Sequence, residues 1–176
     1  NHMSSLDLDI CYLSASEALE KFKNKSLSPV ELLTETIKRI ENVNPKINAF
    51  NFFRFEEALI EAKKSELKYT EDKSTLPLEG LPLAIKDEVN VKGHPNKNGS
   101  LIYKDTIAEG TDVDVESLVS SGAIIHARTT NPEFSLTSFC HSKVNGVTRN
   151  PWNLDMTPGG SSGGSAAALA SGCASL

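Results

Sequence analysis

Two short apolar runs with a helix-like segment between them limit what this chain can fold into. Leu83-Ala84-Ile85 lies inside "GLPLAIKDEVNVKG" and switches at once to charge. It reads as a buried strand. "GAIIHART", residues 122–129, reads as a second buried strand. Val113 to Ser121 between them suits a helix. A strand, a helix and a strand in this order indicate an α/β core.

The chain before this core reads differently. Residues 14–68 are patterned as helices. Ser14 with Glu17 three residues on is a capping box. Ser28-Pro29-Val30-Glu31 joins a serine cap, a proline at the first helical position and a glutamate at the third. Leu33, Ile37 and Ile40 follow at helical spacing, with Glu35, Lys38 and Arg39 on the wet side. Asn44-Pro45 is expected to end that helix. A third helix is expected over Arg54 to Lys68. "YTEDKSTLPLE", residues 69–79, is polar and reads as a linker. The expected organisation is a helical segment over 4–74 and an α/β core from 75 to 176. Asn1-His2-Met3 reads as the remnant of an expression tag and is set aside.

Composition narrows the function classes. With 176 residues, 39% hydrophobic and 23% charged, the chain suits a globular protein. A net charge of −5 gives no support to a nucleic-acid binder. No apolar run approaches the roughly 18 residues of a membrane span. Cys11, Cys140 and Cys173 are widely spaced and odd in number, so neither a disulfide framework nor a zinc pattern is expected. A reducing cytoplasm is the expected compartment. No metal or cofactor is implied.

Two features carry candidate chemistry. Lys86 directly follows an apolar strand. A lysine there must snorkel, pair with a neighbour such as Asp87 or Glu88, or give up its proton and serve as a general base. "TPGGSSGGSAAALASG", residues 157–172, is the second. Its alanine-rich half should be a helix, which puts Ser161 to Ser165 at or near the N-terminus, where free N–H groups favour negative charge. Glycines there let another chain or a substrate approach closely. Shorter patterns fail on context. "GGSSG" matches a nucleophile elbow, but no strand precedes it. No Gly-Lys-Ser/Thr follows the glycines, which excludes a P-loop.

Taken together, "GLPLAIKDEVNVKG", "GAIIHARTTNPEF" and "NPWNLDMTPGGSSGGSAAALASG" resemble the successive motifs of the amidase signature family. The helical lead is also similar. The resemblance implies a mixed β-sheet core covered by helices and a serine–serine–lysine triad without metal. Lys86 matches the family lysine, and Ser161 the middle serine, held on a cis peptide bond. Gly159, Gly160 and Ser162 would support the loop, Ser162 by hydrogen bonds. The nucleophile is expected roughly two dozen residues beyond Ser161, past Leu176. The chain thus reads as the N-terminal part of a longer enzyme, inactive by itself. At Asn96 and Lys97 the family pattern leads one to expect threonines.

The implied activity is cleavage of a carboxamide C–N bond through an acyl-enzyme, on a small-molecule amide. An alternative is the glutamine-hydrolysing subunit of a tRNA-dependent amidotransferase. A non-catalytic binding module is the alternative of another class. A homodimer or amidotransferase partner subunits are compatible with the resemblance.

Overall fold

The computed structural model describes residues 8–176; residues 1–3, set aside above, lie outside them. The chain runs through α1 (Leu8–Cys11), α2 (Ala15–Lys23), α3 (Pro29–Ile47), β1 (Phe50–Phe53), α4 (Phe55–Thr70), β2 (Pro82–Lys86), α5 (Val113–Ser120), β3 (Ile124–Thr129), β4 (His141–Ser142), β5 (Gly146–Val147) and α6 (Gly163–Ala170). Both capping boxes form, Ser14 with Glu17 and Ser28 with Glu31.

Helix α3 corrects the expected boundary. It passes through Pro45 to Ile47. The proline falls in the last turn and removes one backbone N–H bond, and the helix ends two residues later. Asn44 closes the end instead. Its carbonyl accepts the Asn48 N–H at 2.8 Å, and its Oδ1 accepts Ala49 N–H at 2.8 Å and Phe50 N–H at 3.2 Å. Asn48 takes the left-handed conformation at the cap. Arg39, read as a wet-side residue, instead reaches the Ser171 carbonyl at 2.7 Å. The stretch read as a linker is anchored to α4. Buried Glu79 accepts from Ser65 Oγ at 2.6 Å and Lys68 Nζ at 2.9 Å.

The central sheet has strand order β1–β3–β2, with β1 antiparallel and β2 parallel to β3. Strand β1 lies within the stretch read as helical. Helices α3 and α6 pack on one face, where Ile40, Ile47, Ala127, Ala167 and Ala168 share a core with Phe50. On α5's side, Val115 meets Leu83, Ile85, Ala123 and Ile125. The crossover from β2 through α5 to β3 places Lys86 opposite Thr129, both at the C-terminal ends of parallel strands. Ligand sites of open α/β sheets collect at such ends.

His126 sits in the middle of β3, fully buried. Its Nε2 lies 2.9 Å from the Cys173 carbonyl oxygen. A carbonyl only accepts, so Nε2 carries the proton. Burial pulls its pKa from 6.5 down to about 4, against the raising effect of the hydrogen bond to the Cys173 carbonyl. The folded form therefore holds His126 neutral, while the unfolded chain binds its proton below pH 6.5. Stability from this group is complete above pH 6.5 and falls as pH drops towards 4, by about 3 kcal/mol in all. We predict that urea unfolding loses stability more steeply between pH 7 and 4.5 in the wild type than in His126→Gln. Equal slopes would contradict the assignment.

Candidate active site

The site is built at the C-terminal end of β2. Lys86 is the last residue of that strand. Its Nζ donates to Ser161 Oγ at 2.8 Å and pairs with Glu88 Oε1 at 2.7 Å. The partner at the strand mouth and the serine of the glycine-rich run are thus held at once. The Lys86 side chain is 13% exposed and that of Glu88 34%. For Glu88, burial pushes its pKa up, but hydrogen bonds with Lys86 and Ser135 and the Lys86 charge outweigh this and hold it below the usual carboxylate range.

Asp87 turns the opposite way. It is fully buried, its N–H donates to the Thr129 carbonyl at 2.9 Å, and its carboxylate accepts the Gly99 N–H at 3.2 Å and the Lys97 N–H at 3.4 Å. Asn96 Nδ2 donates to the Glu88 carbonyl at 3.1 Å and to Asn90 Oδ1 at 2.7 Å. The departures at Asn96 and Lys97 therefore fall on the loop that packs against the Lys86 turn.

Ser161 reaches Lys86 from the start of α6. The peptide bond Gly160–Ser161 is cis. Gly159 has φ +88°, in the left-handed region that suits glycine. A Cβ on Gly160 would come within 2.7 Å of the Thr137 carbonyl oxygen and 2.9 Å of Phe139 N. The close approach expected at the glycines is therefore made, at Gly160, by another segment of the same chain. Gly164 N–H donates to the Thr130 carbonyl at 3.2 Å, and Ser165 Oγ shares a hydrogen bond with Thr129 Oγ1 at 2.7 Å. These contacts fasten α6 to the end of β3. Thr129 and Ser165 lie within the quoted motifs, but nothing in the sequence assigned either of them this contact.

Ser162 departs from its expected loop-fixing role. It is the N-cap of α6, yet its hydroxyl gives no capping hydrogen bond, and the residue is exposed. Of Gly159, Gly160, Ser161 and Ser162, only Ser161 presents a side chain to Lys86. A cavity of about 410 Å³ lies elsewhere, on the α5 side. Arg54, His94 and Val115 line it, and neither Lys86 nor Ser161 does. No base hydrogen-bonded to a hydroxyl, as Lys86 is to Ser161, lines that cavity.

The arrangement can move a proton between a serine hydroxyl and an amine, with a carboxylate beside the amine. No helix among the described residues is long and apolar enough to cross a membrane.

Known proteins share this architecture. The model of the family described as Amidase matches residues 31–176. The A subunit of a glutamyl-tRNA(Gln) amidotransferase from Methylacidiphilum infernorum (isolate V4) is 40% identical over 158 residues, which is 90% of this chain and 31% of that protein. An indoleacetamide hydrolase of Bradyrhizobium diazoefficiens is 35% identical over 163 residues, covering 93% of this chain and 31% of that protein. Among solved structures, a bacterial aryl acylamidase of the amidase signature family superposes with a TM-score of 0.88 at 29% identity, over 94% of this chain and 35% of that one. A fatty acid amide hydrolase gives 0.91 at 26% identity, over 98% and 31%. The chain spans about a third of the length of the curated relatives it matches. With its family model matched over residues 31–176 and its α/β fold shared with solved amidases, this chain belongs to the amidase signature family.

Proposed function

We propose that this chain carries the lysine and relay serine of an amidohydrolase that cleaves a carboxamide C–N bond through an acyl-enzyme. The observation that carries the reading is the 2.8 Å contact between Lys86 Nζ, at the C-terminal end of β2, and Ser161 Oγ, in the turn before α6. We take residues 75–176 as the part of the core that holds the site, and the segment before them as a lead of helices that also supplies β1 to the central sheet. The attacking serine comes from outside these 176 residues.

In the structure Lys86 Nζ donates to Ser161 Oγ and pairs with Glu88, so the scheme starts once Nζ has given one proton to solvent and can accept from Ser161. The attacking serine gives its hydroxyl proton to Ser161 Oγ as its own oxygen bonds to the substrate carbonyl carbon. Ser161 passes its original proton to Lys86 Nζ, so one O–H bond is lost overall and one N–H bond is formed. The Glu88 carboxylate, 2.7 Å away, offsets the positive charge that appears on Nζ. The same path reversed protonates the leaving ammonia or amine as the C–N bond breaks. Water then releases the acid.

A second reading has its own support. The amidotransferase A subunits among the relatives reach 36–40% identity. In that reading glutamine is the amide, and the ammonia passes to partner subunits. Cys140 and Cys173 are free and buried, and a reducing cytoplasm is the compartment we propose for either version.

The test is a hydrolysis panel of small carboxamides, aryl anilides and glutamine, run on the protein at the full length of its amidase relatives. An active-serine probe is mapped alongside. We expect turnover of at least one amide and a probe adduct on a serine other than Ser161. Glutamine turnover stimulated by partner subunits and charged tRNA would select the second reading. A stoichiometric adduct on Ser161 would overturn its role as the relay.

A further inference from the structure

Arg128 is a large, charged side chain with no exposure at all. It stands on β3, next to Thr129, the residue paired with Lys86. A guanidinium is costly to bury unless its N–H groups find acceptors. Here Nε and Nη2 find acceptors in one short piece of backbone, while Nη1 is buried without a hydrogen-bond partner. Nε donates to the Ile85 carbonyl at 3.3 Å. The two N–H bonds of Nη2 are shared among the carbonyls of Lys86 at 3.0 Å, Asp87 at 3.1 Å and Val89. Glu88 has the one carbonyl between 85 and 89 that Arg128 does not take, and Asn96 Nδ2 takes it.

Every carbonyl of this turn is therefore bound from within the protein. Backbone groups that gain all their partners have no reason to rearrange towards water. Buried Asp87 balances the charge from the turn itself. Asp112 adds a second carboxylate and accepts from Asn90 N–H at 2.8 Å. Burial draws the Arg128 pKa down to about 10, and Asp87 and Asp112 work against that, so the group is cationic at neutral pH.

We propose that Arg128 is a positioning residue. By gathering the carbonyls of Ile85, Lys86, Asp87 and Val89 onto one guanidinium, it sets the turn that aims Lys86 at Ser161 and brings Glu88 back onto Lys86. The guanidinium suits this work, since Nε and Nη2 present donors in fixed directions from two atoms, whereas an ammonium offers three from one point. The consequence for activity rests on the amidase reading above. The consequence for the geometry of Lys86 does not.

The test uses Arg128→Gln and Arg128→Lys. Lysine acylation by a water-soluble acetylating reagent is followed by peptide mapping, with melting curves to establish folding. Lys86 is bound to two partners and should react slowly in the wild type. Losing a hydrogen bond to a charged group loosens the turn enough to raise its labelling by about tenfold or more in Arg128→Gln. Arg128→Lys should give a smaller rise, about threefold, because a cation remains for part of the turn. Lys68, paired with Glu79 at 2.9 Å on α4, is the control and should not change. In the active full-length protein, kcat should fall with KM kept.

A folded Arg128→Gln protein with Lys86 labelled at the wild-type rate would overturn the proposal. So would a rise in Lys68 labelling by the same factor, which would mean general loosening. If Arg128→Gln does not fold, Arg128→Lys decides by the same two criteria. If the wild type hydrolyses no amide, the functional reading fails while the labelling still decides Arg128.

Discussion

Lys86→Ala is expected to abolish amide hydrolysis while leaving the protein folded. General-base assistance is worth about 10²–10⁴ in rate, and the loss grows where the base acts as one unit with its relay. The cost to folding should be small. Glu88 loses its partner, but at 34% side-chain exposure its carboxylate can turn to water. Lys86 also has an ordinary structural role as the ion-pair partner of Glu88, and Lys86→Arg separates the two. A guanidinium keeps the pair but cannot take up a proton at neutral pH. Arginine should therefore restore the melting temperature and not the turnover. Near-normal hydrolysis in folded Lys86→Ala, or full rescue by arginine, would remove Lys86 as the base.

Ser161→Ala should be nearly as damaging, with a loss of about 10²–10⁴ in turnover. Ser162→Ala should cost less by at least about tenfold. The two hydroxyls sit on adjacent residues of one glycine-rich turn, so they share composition, backbone and approach to α6. They differ in what they touch. Ser161 Oγ is 2.8 Å from Lys86 Nζ, and the Ser162 hydroxyl has no capping bond. A defect from disturbing the turn would strike both variants alike. Similar rates for Ser161→Ala and wild type, with matching melting curves, would end the relay assignment.

What the sequence made legible was mostly local. The serine caps of α2 and α3 carry their signal within four residues. The apolar runs of β2 and β3 are bounded by charge and by a turn. Strand β1 was not visible, because Phe50 to Phe53 has no alternation of its own. It is a strand by virtue of β3, more than 70 residues later, which pairs Phe53 with Ala127. The end of α3 was misplaced because Pro45 is a local signal, whereas the Asn44 side chain that closes the helix works through the residues beyond it.

At the site, the same division holds. Lys86 stood out as a lysine at the mouth of an apolar strand. Its pairing with Ser161 spans 75 residues and came only through the family resemblance. Arg128 escaped notice because its acceptors are backbone carbonyls, which leave no trace in residue type. One sign was available: a long cation inside "AIIHART", a segment otherwise fit for burial. Gly160 is likewise explained only by the backbone of residues 137–139 lying against it.

The central claim is that Lys86 and Ser161 form one proton path. A double-mutant cycle on hydrolysis tests it most directly. Parts of a single relay are lost together, so Lys86→Ala/Ser161→Ala should be no slower than the worse of the two single variants. Losses that multiply across the cycle would mean that the two side chains act independently, and would contradict the account.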